Sequence, residues 1–166
     1  MSWAGVLPFA FLLAVAPACR REISALNMRN QTVAFDQDLE KLRKLVTLPA
    51  PPVQVWYEQV PRGASGGLGP SDYLLIVVMR FKPNELASIT AHAQRRPGPL
   101  PRITSEANRP WIPEPVKSAI CPHDDYSVSV RGETFDAADF SKSPFLSGTF
   151  TVVEGGEYVV LVMGTS

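Results

Sequence analysis

Residues 73–81, with the sequence YLLIVVMRF, decide the fold of this chain. Six consecutive residues, Leu74–Met79, are apolar, with no alternation of apolar and polar side chains. A strand covered on one face alternates, whereas a strand covered on both faces need not. Gly69 and Pro70 precede the run and Pro83 follows it, which limits it to the length of a strand. The sequence therefore predicts a central strand over 73–81, with other elements packed against both of its faces.

The composition is that of a folded chain of single-domain size. The chain has 166 residues, of which 45% are apolar and 19% are charged, and these proportions are typical of globular proteins. Sixteen basic and sixteen acidic side chains give a formal net charge of zero, so the composition does not indicate a nucleic-acid partner. Sixteen prolines, nearly twice the usual frequency of about 5%, predict long loops between the regular elements.

The N-terminal residues have the pattern of an export signal. Residues 1–19 carry no charged side chain, and Trp3–Ala18 is apolar apart from interruptions by proline. This run is shorter than the stretch of about 20 residues that a membrane-spanning helix needs. It ends in Ala16-Pro17-Ala18, an A-x-A cleavage pattern, and Cys19 follows at once. The stretch resembles the signal of bacterial lipoproteins, in which a small residue precedes a cysteine that is lipidated.

This resemblance implies a signal peptide over residues 1–18 and lipidation of Cys19. The polar, weakly patterned stretch that follows predicts a tether over 19–31, and the length of the remainder predicts a single domain over 32–166. The protein would then lie on the periplasmic side of the cell envelope and be anchored in the membrane through Cys19. A lipoprotein cysteine carries several acyl chains, which is enough for stable anchoring. Cleavage to a soluble secreted protein, an uncleaved anchor and a buried helix of a cytosolic domain are the alternatives.

Two helices are predicted from apolar spacing. Phe35, Leu39, Leu42 and Val46 lie on one face of a helix over 32–46, because they follow the 3.6-residue period. Within that helix, Glu40 and Lys44 form a favourable i,i+4 pair. A second helix is predicted to begin at the proline of Lys82-Pro83-Asn84-Glu85 and to end near Gln94, because proline suits a first helical position.

The predicted fold class is α+β. The expected fold is a mainly antiparallel sheet of about five strands with two packed helices and long Pro/Gly-rich loops. Gly155-Gly156 predicts a tight hairpin turn between the last two strands, since glycine readily adopts positive φ angles. The segment at residues 53–60 alternates and is expected to have one apolar face. The five strands are predicted over residues 53–60, 73–81, 126–131, 149–154 and 157–163.

One polar cluster has side chains that could carry chemistry. Cys121-Pro122-His123-Asp124-Asp125 contains thiol, imidazole and carboxylate groups, all of which bind metals. The spacing matches no zinc signature, and a polar turn explains the same residues, because His, Asp and Pro favour turns. Cys121, His123, Asp124 and Asp125 are therefore weighed as a metal site or a Cys/His catalytic site against a simple turn. Glu58, Asp72 and Glu85 are further carboxylates, whose separation the sequence does not give. No cofactor is predicted.

A proline-rich arm over residues 95–115 is the candidate for contacts with a partner. Long loops of this kind in compact domains are usually functional or disordered. Trp111 and Ile112, between Pro110 and Pro113, are predicted to pin the arm to the body of the domain and are the candidate residues for binding a partner. A packed surface arm without a partner is the alternative.

The sequence contains no motif that names an activity. The interpretation that it favours is an exported envelope lipoprotein that acts as a non-enzymatic binding or interaction module, with a protein or another envelope component as partner. A small periplasmic metal-dependent or Cys/His hydrolase is the first alternative. A structural component of an envelope assembly is the second.

Processing of the N-terminus can be tested directly. We expect cleavage before Cys19 and membrane association through that residue, because the uncharged run ends in Ala-Pro-Ala-Cys. The measurement is the mass of the mature N-terminus and the membrane fraction of the protein in a bacterial host, compared with Cys19→Ser. If both versions remain uncleaved and cytosolic, the predicted compartment is wrong.

Overall fold

A five-stranded antiparallel sheet forms the centre of the structure. The computed structural model of the chain describes residues 35–62, 72–97, 103–104, 109–124 and 127–165; the predicted signal peptide, tether and Cys19 lie outside them. The strands of this sheet are β1 (Gln54–Arg62), β2 (Asp72–Arg80), β6 (Gly132–Asp136), β7 (Phe145–Val153) and β8 (Tyr158–Thr165). Their order across the sheet is β1-β2-β8-β7-β6, and all four strand pairs are antiparallel.

Strand β2 is covered on both faces, as its unbroken apolar run predicts. Leu75, Val77 and Met79 belong to one hydrophobic cluster, and the alternate residues Ile76 and Val78 belong to a second cluster on the opposite face. All five side chains are fully buried. The α+β fold with a mainly antiparallel sheet is confirmed, and β2 lies inside that sheet, next to the middle strand β8.

Both predicted helices pack on the first face of the sheet. Helix α2 (Pro83–His92) begins at its proline, as predicted, and the Glu85 carboxylate accepts a hydrogen bond from the backbone N–H of Lys82 at 3.3 Å. Leu42 of helix α1 (Leu39–Leu45) and Leu86 and Ile89 of α2 join the cluster that contains Leu75. The helices therefore form one layer over the sheet.

Within the described residues, the predicted helix over 32–46 is wrong at residues 35–38, which precede α1. Helix α1 begins at Leu39, because the Asp38 side chain caps it by accepting the backbone N–H groups of Glu40 and Lys41 at 2.9 and 3.2 Å. Asp36 is extended and pairs with Tyr57 of β1 through two backbone hydrogen bonds of 2.9 and 3.0 Å. The backbone of Asp36 therefore pairs with the edge strand β1 instead of forming helical hydrogen bonds.

A small second sheet covers the other face. Its strand order is β3-β5-β4, and the one-turn helix α3 (Glu114–Lys117) lies in the chain between strands β3 and β4. Val116 of α3 and Val128 and Val130 of β5 pack in the cluster that contains Ile76. The result is three layers, with the five-stranded sheet in the middle. The strands of the small sheet are β3 (Ile103–Thr104), β4 (Ile120–Asp124) and β5 (Ser127–Val130).

The strand predicted over 126–131 exists but lies in the small sheet. The fifth strand of the main sheet is β6, which follows it directly and lies outside the five predicted strands. The chain passes from β5 to β6 at Gly132, whose φ of +153° is unfavourable for residues with a side chain. A Cβ atom at this position would lie 2.0 Å from the carbonyl oxygen of Val152, so only glycine fits where the chain changes sheets.

The C-terminal hairpin is confirmed. Strands β7 and β8 pair antiparallel, from Phe145 opposite Thr165 to Val152 opposite Val159. Gly155 and Gly156 have φ of +104° and +73° in the turn, as a Gly-Gly hairpin predicts. A 3-10 helix covers Ala138–Phe140, between β6 and β7.

Among the described residues, no helix is long and apolar enough to cross a membrane.

The burial of β2 gives a test of the fold. We expect Ile76→Asp to prevent folding, because it places an unpaired charge at a position with 0% exposure. The penalty is several kcal/mol, against a typical total stability of about 5–15 kcal/mol. Gln54→Asp at an exposed position of β1 is the control, with an expected cost below about 1 kcal/mol. Thermal melts that show a folded Ile76→Asp variant would contradict the assignment of β2.

Candidate functional site

The end of the proline-rich arm is fixed to the sheet at Trp111 and Ile112. Ile112 is buried in the cluster that contains Ile76, and Trp111 packs against the same cluster. The ring N–H of Trp111 donates a hydrogen bond to Glu58 Oε2 at 3.1 Å. The side chain of Trp111 is half-buried, so part of its ring remains at the surface. The two residues predicted to pin the arm therefore contact the body of the domain.

The acceptor of this hydrogen bond, Glu58, is a buried carboxylate on edge strand β1. Its side chain is 5% exposed, and Arg109 from the arm pairs with it at 3.2 Å between Nη2 and Oε1. One carboxylate oxygen thus faces the guanidinium group and the other faces the Trp111 indole. A buried charge is tolerated when it is paired and hydrogen-bonded, so Glu58 positions the arm as long as both partners are present.

The exposed face of the site is completed by Phe35. Its ring lies 6.0 Å from the ring of Trp111, centroid to centroid, at an interplanar angle of 19°. Phe35 is 44% exposed, which is unusual for so large an apolar side chain. Sequence analysis placed Phe35 on the buried face of a helix, and this is wrong because the residue precedes α1 and lies beside β1.

The neighbouring residue, Asp36, holds the same segment on the helix side of β1. Its carboxylate accepts a hydrogen bond from Lys41 Nζ at 2.9 Å and from the backbone N–H groups of Gln37 and Asp38 at 2.7 and 2.9 Å. The bond from Lys41 and the backbone bonds lower the pKa of Asp36 to about 2. Burial and the nearby Asp36 carboxylate raise the pKa of the Tyr57 phenol to about 12. Asp36 therefore stays charged and Tyr57 stays neutral throughout the physiological range.

Together these residues form what we call the Phe35–Trp111 surface, defined by Phe35, Glu58, Arg109 and Trp111. It has two stacked aromatic rings that reach solvent and an arginine whose side chain is 24% exposed. Tryptophan and arginine are the residue types that most often dominate the energy of protein interfaces. The buried Glu58 fixes both, so little side-chain freedom remains to be lost on binding.

The described residues of the predicted cluster, Cys121–Asp124, lie in strand β4, so the prediction of a turn at Cys121 and Pro122 is wrong. Both residues pair with β5, opposite Ser129 and Val128. The side chains of His123 and Asp124, and the whole of Asp125, lie outside the described part of the structure. Within the described residues, no three His, Cys, Asp or Glu side chains are grouped so that they could hold a metal ion. The metal and Cys/His hypotheses for this segment remain untested.

Sequence analysis missed the roles of Glu58 and Arg109. The alternation over 53–60 suggested that β1 has one apolar face, yet the face with Glu58 is covered by the second layer. Its neighbours two residues away on that face, Trp56 and Val60, both pack in the cluster that contains Ile76. In the sequence, the sign of a buried carboxylate is that Glu58 lies between the apolar residues Trp56 and Val60 on the same face of β1. The sign of its partner is the basic residue Arg109, two positions before Trp111.

The hydrogen bond from Trp111 to Glu58 can be measured with a matched pair of variants. Trp111→Phe removes the donor, and we expect a loss of about 1.5–3 kcal/mol beyond the packing loss, because the acceptor is charged. Trp56→Phe is the control, since Trp56 packs in the same cluster.

Chemical denaturation should show this difference between the two variants, and the difference should shrink when Glu58 is replaced by Gln. Equal losses for both tryptophans would exclude a contribution from the hydrogen bond.

Comparisons of the chain with protein-family models, with curated protein sequences and with solved structures find no match. The proposals below therefore rest on the residues and contacts described above.

Proposed function

We propose that this protein is an exported bacterial envelope lipoprotein that acts as a non-enzymatic binding module, and that the Phe35–Trp111 surface is where a protein partner binds. The observation that carries the proposal is the exposed Phe35 ring stacked on Trp111, above a buried carboxylate that holds the arm in place. An apolar aromatic surface held in one arrangement is typical of an interface.

The support for an interface is energetic as well as geometric. Removing the exposed part of two aromatic rings from water is favourable by about 25 cal/mol for each Å² buried. Because Glu58 already positions Trp111 and Arg109, a partner would meet an ordered surface. The cost of ordering side chains, about 0.5–1.5 kcal/mol for each one immobilised, is then largely avoided.

The anchoring part of the proposal rests on the N-terminal sequence. The uncharged stretch and the Ala-Pro-Ala-Cys ending support lipidation of Cys19 and a place on the periplasmic side of the envelope. A tether over residues 19–31 would lead to Phe35 within a few residues.

The partner can be identified by crosslinking in the cell envelope. A photoreactive phenylalanine analogue at position 35 should give a specific crosslinked product, because that ring is exposed next to Trp111. The same analogue at Leu146, which is 53% exposed in strand β7, is the matched control and should give none. Crosslinks of equal yield at both positions would argue against a specific surface.

The affinity of the purified partner then gives the quantitative test. Phe35→Ser should weaken binding about 30-fold, which corresponds to about 2 kcal/mol for an aromatic residue at the centre of an interface. Its effect on stability should stay within about 1.5 kcal/mol, the upper value for an aromatic pair. Leu146→Ser should leave the affinity unchanged. A folded Phe35→Ser variant with unchanged affinity would refute the proposal.

A further inference from the structure

Two neighbouring residues of edge strand β1 hold two different parts of the chain. The side chains of Tyr57 and Glu58 point to opposite faces of the sheet, because side chains alternate along a strand. Tyr57 packs in the cluster that contains Leu75, and Glu58 lies on the face with the cluster that contains Ile76. Each of the two residues is the attachment point of a segment that comes from elsewhere in the sequence.

Tyr57 holds residues 35–38, which we call the lead-in. Its backbone N–H and C=O pair with those of Asp36 at 3.0 and 2.9 Å. Its phenol O–H donates to the carbonyl oxygen of Asp38 at 3.3 Å. Within the described residues, the lead-in is therefore attached to the edge of the sheet by both main-chain and side-chain hydrogen bonds to one residue.

Glu58 holds residues 109–112, the end of the arm. Its carboxylate accepts hydrogen bonds from Arg109 Nη2 at 3.2 Å and from Trp111 Nε1 at 3.1 Å. Ile112 completes this attachment, because its side chain is buried in the cluster that contains Ile76. The indole of Trp111 is thus fixed to β1 by a hydrogen bond to a buried carboxylate.

The stacked rings connect the two attachments. Phe35 belongs to the lead-in and Trp111 to the end of the arm, and their ring centroids lie 6.0 Å apart. This contact is lost when either segment leaves β1, so it stabilises each segment only while the other is in place. Such a coupling is equal in both directions. The strength of an aromatic pair corresponds to about a 2- to 12-fold change in an equilibrium constant.

We propose that the lead-in and the end of the arm form one cooperative unit, in which release of either segment from β1 loosens the other through the contact between Phe35 and Trp111. A molecule that displaces the end of the arm would then also loosen the lead-in on the opposite side of β1. This coupling is a property of the chain itself and does not depend on the function proposed for the Phe35–Trp111 surface.

Hydrogen exchange, followed by NMR on the detergent-solubilised full-length chain, tests the coupling, because local opening sets the protection of each amide. Trp111→Leu should lower the protection of the Asp36 and Tyr57 amides, which donate in the backbone pair, at least twofold. Tyr158→Leu removes another ring that packs against the same cluster and should change their protection less than 1.5-fold. The amide of Thr47, which is hydrogen-bonded beyond the other end of α1, should keep its protection in both variants.

The reverse direction uses the indole N–H of Trp111 as the reporter. Phe35→Ser should lower its protection by the same factor that Trp111→Leu produces at the Asp36 amide, within a factor of two, because the coupling is reciprocal. Leu146→Ser, at another exposed apolar position, should leave it unchanged. In the double variant of Phe35→Ser and Trp111→Leu, the Asp36 amide should be no less protected than in Phe35→Ser, since the contact is already absent.

Three results would overturn the proposal. They are unchanged protection of the Asp36 amide in a folded Trp111→Leu variant, equal losses at Asp36 and Thr47, and additive losses in the double variant. If Trp111→Leu does not fold, the exposed Phe35 keeps the test open, because unchanged protection of the indole N–H in Phe35→Ser overturns the coupling by itself. None of these measurements involves a partner, so a failure here is distinct from a failure of partner binding.

Discussion

A strand without a polar face needs a cover on each side, and this requirement organises the protein. Strand β2 has fully buried side chains pointing in both directions, so two layers must be supplied by other parts of the chain. Helices α1 and α2 supply one layer; helix α3 and the small sheet supply the other. The second layer contains few regular residues and follows a proline-rich arm, so the fold needs a firm attachment for the end of that arm.

The end of the arm is attached through the carboxylate of Glu58, which is almost completely buried. Glu58 is 5% exposed and is satisfied by Arg109 and Trp111, both from the arm. Removal of Arg109 or Trp111 would leave one oxygen of the buried Glu58 carboxylate without its partner. A buried charge that loses all of its partners costs several kcal/mol of stability. The interaction therefore joins Arg109 and Trp111 of the arm to a single buried side chain of β1. The same interaction holds Trp111 under Phe35.

The sequence predicts those elements whose pattern is local. The doubly covered β2, the proline start of α2 and the Gly155-Gly156 hairpin all follow from neighbouring residues, and the structure confirms them. Features that depend on distant pairing were not predictable. The start of α1 is decided by Asp36 pairing with Tyr57, and the sheet that 127–130 joins is decided by a single corner at Gly132. Trp111 was singled out from its setting between prolines, but Glu58 and Phe35 required knowledge of what lies opposite them.

The attachment of Phe35 and Asp36 to β1 also has a mechanical consequence. A force that pulls on Phe35 and Asp36 acts on this attachment. It is resisted there by two backbone hydrogen bonds, one pair of stacked rings and the Lys41 ion pair. Strand β1 itself is held by nine paired positions along β2. Under tension on Phe35 and Asp36, these few contacts would separate before the strand pairing of β1 and β2, and the indole of Trp111 would then lose the ring stacked on it.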